Sequence, residues 1–402
     1  MKLFAQHGSQ EGEKINEGIS QKLIDGVIYS PRDVSFEKLE KKIQDISKSS
    51  PSIELYFDPQ FYASFLIKQD GAKLGYLEDD YTEYFQHTRR SQLERESEVV
   101  NIISLALQFQ KKLNLTAYIA PNILIHRSFD SIEASISKDF IRQAAEVHHT
   151  KIKDNKPLYV TLAVSREALT DKNDFFEFLN EVTMLETPPS GFYLLVAARS
   201  NEARSDIYNP DVIAAWMMLN HTLKLNGFEV INGYSDILTP FLGIAGGSAG
   251  ATGWWSNLRN FSIDRFNPLN SGGRLPIQRY LSINLLNRIT HFELSALKGK
   301  VPSIINGLET DKIYQQDEPA RNQEVLQSWQ SLKKLNGMLA SGTQIEGLKA
   351  MKQLINKAKE TYDQIKAVPS ALDTKSNDEH LEPLEEALRL FRKHAEIDFP
   401  TN

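Results

Sequence analysis

Asp33, Asp58 and His7 each stand at or just beyond the end of a short apolar, β-branched run. Carboxyl and imidazole groups whose environments separate their pKa values can divide acid and base work. Asp58, at the end of run 53–58 and against Pro59, is the first expected acid/base group. His7 follows as a general base, and Asp33 as a second carboxylate across the same mouth. Each has a plainer reading. Asp after a strand commonly shapes a turn or caps a helix, and a histidine beside glycine is commonly a satisfied turn residue.

Cations suggest a second chemistry. Arg166 and Arg199 follow the two clearest runs, 158–165 and 192–197, and Arg259, Arg265, Arg274 and Arg279 come later. A guanidinium matches phosphate or carboxylate bidentately. Arg166 and Arg199 are therefore expected to bind an anionic substrate, against the alternative that Glu202, Asp206 and Asp264 neutralise the arginines. In stretch 244–255, Gly246, Gly247, Gly250 and Gly253 would leave backbone N–H groups open to a phosphate. The stretch matches neither the P-loop nor the dinucleotide fingerprint. Its preferred alternative is a small-residue strand in a crowded seam. Tyr234, Asp236 and Trp254, at or beyond the last strand ends, complete the expected substrate-binding set. Trp254 and Trp255 with Arg259 and Arg265 interleave aromatics with cations, a pattern that can stack a base or sugar.

The chain has no cysteine. Thiolate nucleophiles, disulfides and cysteine-based zinc sites are thereby excluded. His148 and His149 are adjacent in a helical pattern and point to different faces, and no His-x-His or His-Glu-x-x-His spacing occurs. No cofactor is expected. Mg2+ held by scattered carboxylates stays open, because such sites have no local spacing rule.

These residues are positioned by eight runs, at 2–7, 26–30, 53–58, 116–120, 158–165, 192–197, 229–232 and 248–254. Nearly all are followed by helical patterns. In stretch 35–46, Phe36, Leu39, Ile43 and Ile46 mark one buried helix face, with Ser35 as N-cap. Strands alternating with helices predict parallel strands with crossover helices, and eight such units predict an α/β fold of the (β/α)8 TIM-barrel type. The last two strands are weak by propensity, so an irregular or incomplete barrel is the alternative. The expected organisation is a barrel over 1–309, with an aromatic and charged insertion at about 60–92 that serves as a lid or as surface elaboration. An α-helical region over 310–402 would form an appendage.

The chain has 402 residues and a net charge of −6, with 41% hydrophobic and 24% charged residues. The charge argues against electrostatic wrapping of nucleic acid but leaves room for a local basic groove. No stretch approaches the roughly 20 apolar residues of a membrane span, so no membrane partner is expected, and the N-terminus turns polar too early for a signal peptide. The leading expectation is a cytoplasmic barrel enzyme acting on an anionic substrate, phosphate- or nucleotide-containing. Metal-independent acid/base chemistry would serve hydrolysis, a lyase reaction or glycosyl transfer. One alternative is a non-catalytic scaffold or interaction subunit whose C-terminal helices meet a protein partner. Another is a nucleic-acid-processing protein.

Overall fold

The computed structural model describes residues 1–198, 207–268, 277–314, 319–340, 342–368 and 372–397. The expected runs form parallel strands: β1 (Lys2–Gln6), β2 (Gly26–Tyr29), β3 (Glu54–Phe57), β4 (Tyr118–Ala120), β5 (Leu124–Ile125), β6 (Leu158–Ser165), β7 (Gly191–Ala197), β8 (Glu229–Asn232) and β9 (Ala249–Thr252). Their order is β3-β2-β1-β9-β8-β7-β6-β4. β4 and β5 both pair with β6. They act as one strand interrupted at Pro121 and Asn122, where the Asn122 side chain donates to the Thr161 carbonyl at 2.9 Å. The sheet thus has eight strand positions. Between its two ends, the Thr116 N–H donates to the Leu55 carbonyl at 2.9 Å, and the Leu55 N–H to the Thr116 hydroxyl at 2.8 Å. The fold is a nearly closed (β/α)8 TIM-type barrel.

β6 and β7 are buried along almost their whole length, which is why their sequences run continuously apolar instead of alternating. Both strands of weak propensity form. β9 needs small residues because the helix Thr239–Ile244 lies close against it: a Cβ on Gly250 would sit 2.5 Å from the Thr239 methyl group.

The helix Phe36–Ser49 buries Leu39, Ile43 and Ile46 as the spacing predicts. Ser35 occupies its N-cap position but makes no side-chain cap bond. Instead the Asp80 carboxylate accepts the Phe36 N–H at 2.9 Å. Asp80 belongs to the insertion at 60–92. Much of the aromatic part of that insertion is core: Tyr81, Tyr84 and Phe85 are buried, and the two tyrosine rings pack on Phe57 and Phe109, whereas Tyr76 is exposed.

Packing does not break at the expected boundary of 309/310. The helix Arg321–Leu339 lies against β1, the helix Lys14–Ser20 and the helix Thr239–Ile244, the place of a barrel's eighth helix. Trp329 is fully buried there, with its indole N–H directed at the Thr252 carbonyl. The helices Gln344–Lys366 and Leu381–His394 follow, and the latter packs on the helix Pro210–Leu225. That contact gives Pro210–Leu225 a second covered face, so its apolar residues are not confined to one stripe. Between β9 and Arg321 an antiparallel hairpin, β10 (Arg279–Ser282) and β11 (Asn287–Thr290), is inserted. Among the described residues, no helix is long and apolar enough to cross a membrane.

Candidate functional site at the barrel mouth

Inward-facing positions can be read from ring contacts. Phe4 meets Tyr56 at 5.4 Å, and Tyr56 meets Tyr159 at 5.8 Å, inside the barrel. One step further along each strand, pleat alternation turns Gln6 and Asp58 to the same interior. There the Tyr193 hydroxyl, from β7, lies 3.4 Å from Gln6 Oε1 and 3.4 Å from Asp58 Oδ2.

Asp58 is fully buried. It accepts the Tyr62 hydroxyl at 2.8 Å and the Gln60 N–H at 3.0 Å. Burial pushes its carboxyl up to about 6, against the lowering pull of Tyr62, Gln60, Arg265 and Tyr193. Burial likewise drives the Tyr62 and Tyr193 phenols well above their usual range, so both remain neutral donors.

Asp58 belongs to a chain of buried polar groups around the mouth. Gln60 donates to Ser30 Oγ at 2.9 Å, and Ser30 donates to Asp33 at 2.9 Å. Asp33 also accepts from Arg32 at 3.1 Å and from Arg265 at 3.0 Å. Arg265 donates its other terminal nitrogen to the Tyr234 hydroxyl at 2.7 Å. Burial opposes its charge, but Tyr234 and Asp33 outweigh that and raise its pKa further. Beyond β8, Tyr234 and Asp236 both have positive φ, +53° and +39°. Such backbone is uncommon for residues other than glycine and concentrates at functional sites. Asp236 receives both terminal nitrogens of Arg288, at 2.5 and 2.8 Å, and the Thr252 hydroxyl at 2.8 Å. Burial works against its ionisation, yet Arg288 and Arg259 hold the carboxyl below the usual range.

Above this network opens a cavity of about 590 Å³. Arg32, Lys73, Arg265, Arg279, Arg288 and Lys375 line it, with Asp236 and Asp264 as its carboxylates. Six cations thus converge on one cavity in a chain whose net charge is −6. A second cavity, about 490 Å³, is lined by Tyr62 with Phe65, Arg90, His126 and Glu133 among others.

Of the residues expected from sequence, Asp58, Asp33, Tyr234 and Asp236 come together here. His7 stays apart from their side chains and meets the network only at the Ser30 backbone, whose N–H donates to its Nδ1 at 3.4 Å. Phe4 and Gln6 take the inward positions of β1, so His7 turns to the helix layer, with Nε2 3.1 Å from Glu11 and its ring 5.3 Å from Tyr29. Trp254 is buried, gives its indole N–H to the Ser9 carbonyl at 2.7 Å and lies outside the cavity wall. Arg166 opens a short helix after β6, is largely buried and does not line the cavity. Arg199 lies outside the described residues.

The glycines form no phosphate cradle. Gly246 and Gly247 precede β9, at the barrel end opposite the mouth. Their N–H groups are already bonded to the Gly243 and Leu242 carbonyls, and that of Gly253 to the Leu258 carbonyl. Gly250 is inside the strand ladder. Small size at these positions serves close packing.

Arg288, Tyr62, Tyr193 and Lys73 were not foreseen as site residues. Tyr193 lies within the continuously apolar run 192–197, where its phenolic hydroxyl alone sets it apart. Arg288 comes from a hairpin without a strong strand pattern. Among the described residues, no group of three or more histidine, aspartate and glutamate side chains is placed to hold a metal ion.

The fold and the mouth define the class, a (β/α)8 barrel with a cationic cavity at the carboxyl ends of its strands. No family model and no curated protein matches the chain. Among solved structures, it is similar to a dihydrodipicolinate synthase from Oceanobacillus iheyensis at 10% identity, over 97% of this chain and 96% of that one, with a TM-score of 0.24. The fold assignment rests on the strand pairing itself, and a shared fold transmits no activity.

Proposed function

We propose that this chain is a barrel enzyme that binds an anionic substrate, phosphate- or nucleotide-containing, in the cavity at its mouth. The convergence of six cationic side chains on that cavity carries the reading. Barrel enzymes place their chemistry at this end of the strands, and a pocket of this size suits a drug-sized ligand. Asp58 is the acid/base group of the proposal. Its burial brings it to about 6, close to the operating range of a general acid or base. It stands behind the wall and is joined to the cavity-lining Arg265 by the hydrogen-bonded chain of Gln60, Ser30 and Asp33. Hydrolysis, a lyase step and glycosyl transfer all fit such a group.

The test is a thermal-shift and calorimetric screen of inorganic phosphate, sugar phosphates and nucleotides, repeated at high salt. The expected result is a salt-sensitive rise in melting temperature for a subset, abolished in Arg265→Ala after correction for stability. Absence of any anion-dependent shift at low salt overturns the reading. Turnover of a hit that persists undiminished in Asp58→Asn would remove Asp58 from the chemistry.

A further inference from the structure

We infer that the cavity takes a ligand with two separate anionic groups, one against Arg32, Lys73 and Arg265 and the other against Arg279, Arg288 and Lys375. This rests on the anion-binding reading above and narrows its substrate class.

The six cations fall into two units, each tied together internally. In the first, the Lys73 N–H donates to the Phe266 carbonyl at 2.7 Å, and Arg32 Nε donates to the Lys73 carbonyl at 2.7 Å. Arg32 and Arg265 both lie 5.4 Å from the Phe266 ring and share Asp33. In the second, Arg279 reaches the Arg288 carbonyl at 3.5 Å and Ser376 Oγ at 3.0 Å, and the Asn287 amide donates to the Lys375 carbonyl at 3.3 Å. The first unit comes from loops of the barrel. The second comes from the inserted hairpin and the segment between the last two helices.

The end of β8 holds the two units apart. Tyr234 carries Arg265 and Asp236 carries Arg288, from backbone positions two residues apart that both have positive φ. Each arginine is anchored by a carboxylate: Asp33, Asp236 or, for Arg279, Asp373. Anchoring orders these groups and compensates three of their four charges: the first unit, whose two arginines share Asp33, keeps one arginine charge besides Lys73, and the second keeps Lys375. The Lys73 and Lys375 ammonium groups are exposed and make no ion pair with a described residue, although Lys375 lies within the field of Asp373. Each unit also contains a buried donor that no described residue accepts, Nε of Arg265 and Nε of Arg288. The Arg265 side chain is only 3% exposed. Such donors are costly to bury unpaired. A lone phosphate against either unit leaves the other unit's exposed lysine unused. A ligand with two anionic ends uses both.

The full-length chain is titrated calorimetrically, at fixed ionic strength, with methylphosphonate and with linear alkane bisphosphonates of one, three and six carbons. The expected result is at least tenfold tighter binding of one bisphosphonate than of methylphosphonate. Lys73→Ala and Lys375→Ala, both at exposed positions that the fold does not need, each weaken that bisphosphonate fivefold or more. Only one of the two variants weakens methylphosphonate. Bisphosphonates within twofold of methylphosphonate at every spacing would overturn the two-group inference while leaving anion binding intact. Equal weakening of methylphosphonate by both variants would also overturn it, since the lysines would then share one subsite. Failure of every phosphonate to bind would instead remove the anion-binding reading itself.

Discussion

Arg265 and Asp33, 232 positions apart in the chain, meet at 3.0 Å across the barrel mouth with both side chains almost fully buried. The pair ties the loop after the last barrel strand to the loop after the second. Loss of the carboxylate leaves a buried guanidinium with Tyr234 as its hydrogen-bond partner. Breaking one side of a buried pair costs about 3 kcal/mol or more. Asp33→Ala is therefore expected to lower the unfolding free energy in urea by about 3 kcal/mol. Asp33→Asn, which keeps an acceptor for Ser30 and Arg265, loses less. Equal losses in the two variants would mean that packing, not the acceptor, is what Asp33 supplies.

Asp58 gives stability a defined pH dependence. Its carboxyl titrates at about 6 when folded and near 3.9 in an unfolded chain. The folded protein therefore holds this proton more tightly. The contribution is fully present below about pH 4 and is lost as pH rises through about 6, to a total of about 3 kcal/mol. Asp58→Asn does not titrate. The stability of the variant minus that of the parent should climb between about pH 4 and 6 and level off above. A difference that stays flat across that window would show that Asp58 does not carry the raised pKa.

The small-residue run makes an opposite pair of claims about stability and binding. A methyl group on Gly250 meets Thr239 at 2.5 Å and Ser235 Oγ at 2.8 Å. Overpacking of this kind costs about 1–3 kcal/mol, and Gly250→Ala should lose that much. Its folded fraction should bind anions as tightly as the parent, because the glycine amides point to protein carbonyls. A variant with parental stability and weakened anion binding would restore the amide-cradle reading.

The strands were legible because a barrel strand buried on both faces must be apolar throughout, and because Pro31, Pro59 and Pro121 stop three of them. Selecting residues at strand ends then found Asp58, Asp33, Tyr234 and Asp236. His7 shows where this fails. Position along a strand was readable, but the side of the pleat was not, and a shift of one residue reverses it. Arg265 was visible only as one arginine among several after the glycines. It sits in a 3-10 turn, and Arg288 in a hairpin, where no periodicity predicts which residue faces the mouth. The helix Arg321–Leu339 showed an apolar face in its sequence, but a face does not name what covers it.

Trp329 makes the domain organisation testable. It is fully buried on the outside of the barrel sheet, so close to the helix Lys14–Ser20 that a Cβ on Gly18 would lie 2.7 Å from its ring. Truncating a buried tryptophan costs about 3–5 kcal/mol, and Trp329→Ala should lose that amount in urea without loss of secondary structure in native buffer. A chain ended at residue 309 loses the whole helix. It bares apolar surface beside β1 and on the helix Thr239–Ile244, so it should aggregate or lack a cooperative melt. If that truncated chain instead unfolds cooperatively at the parental temperature, the barrel closes without Arg321–Leu339, and the boundary expected at 309/310 stands.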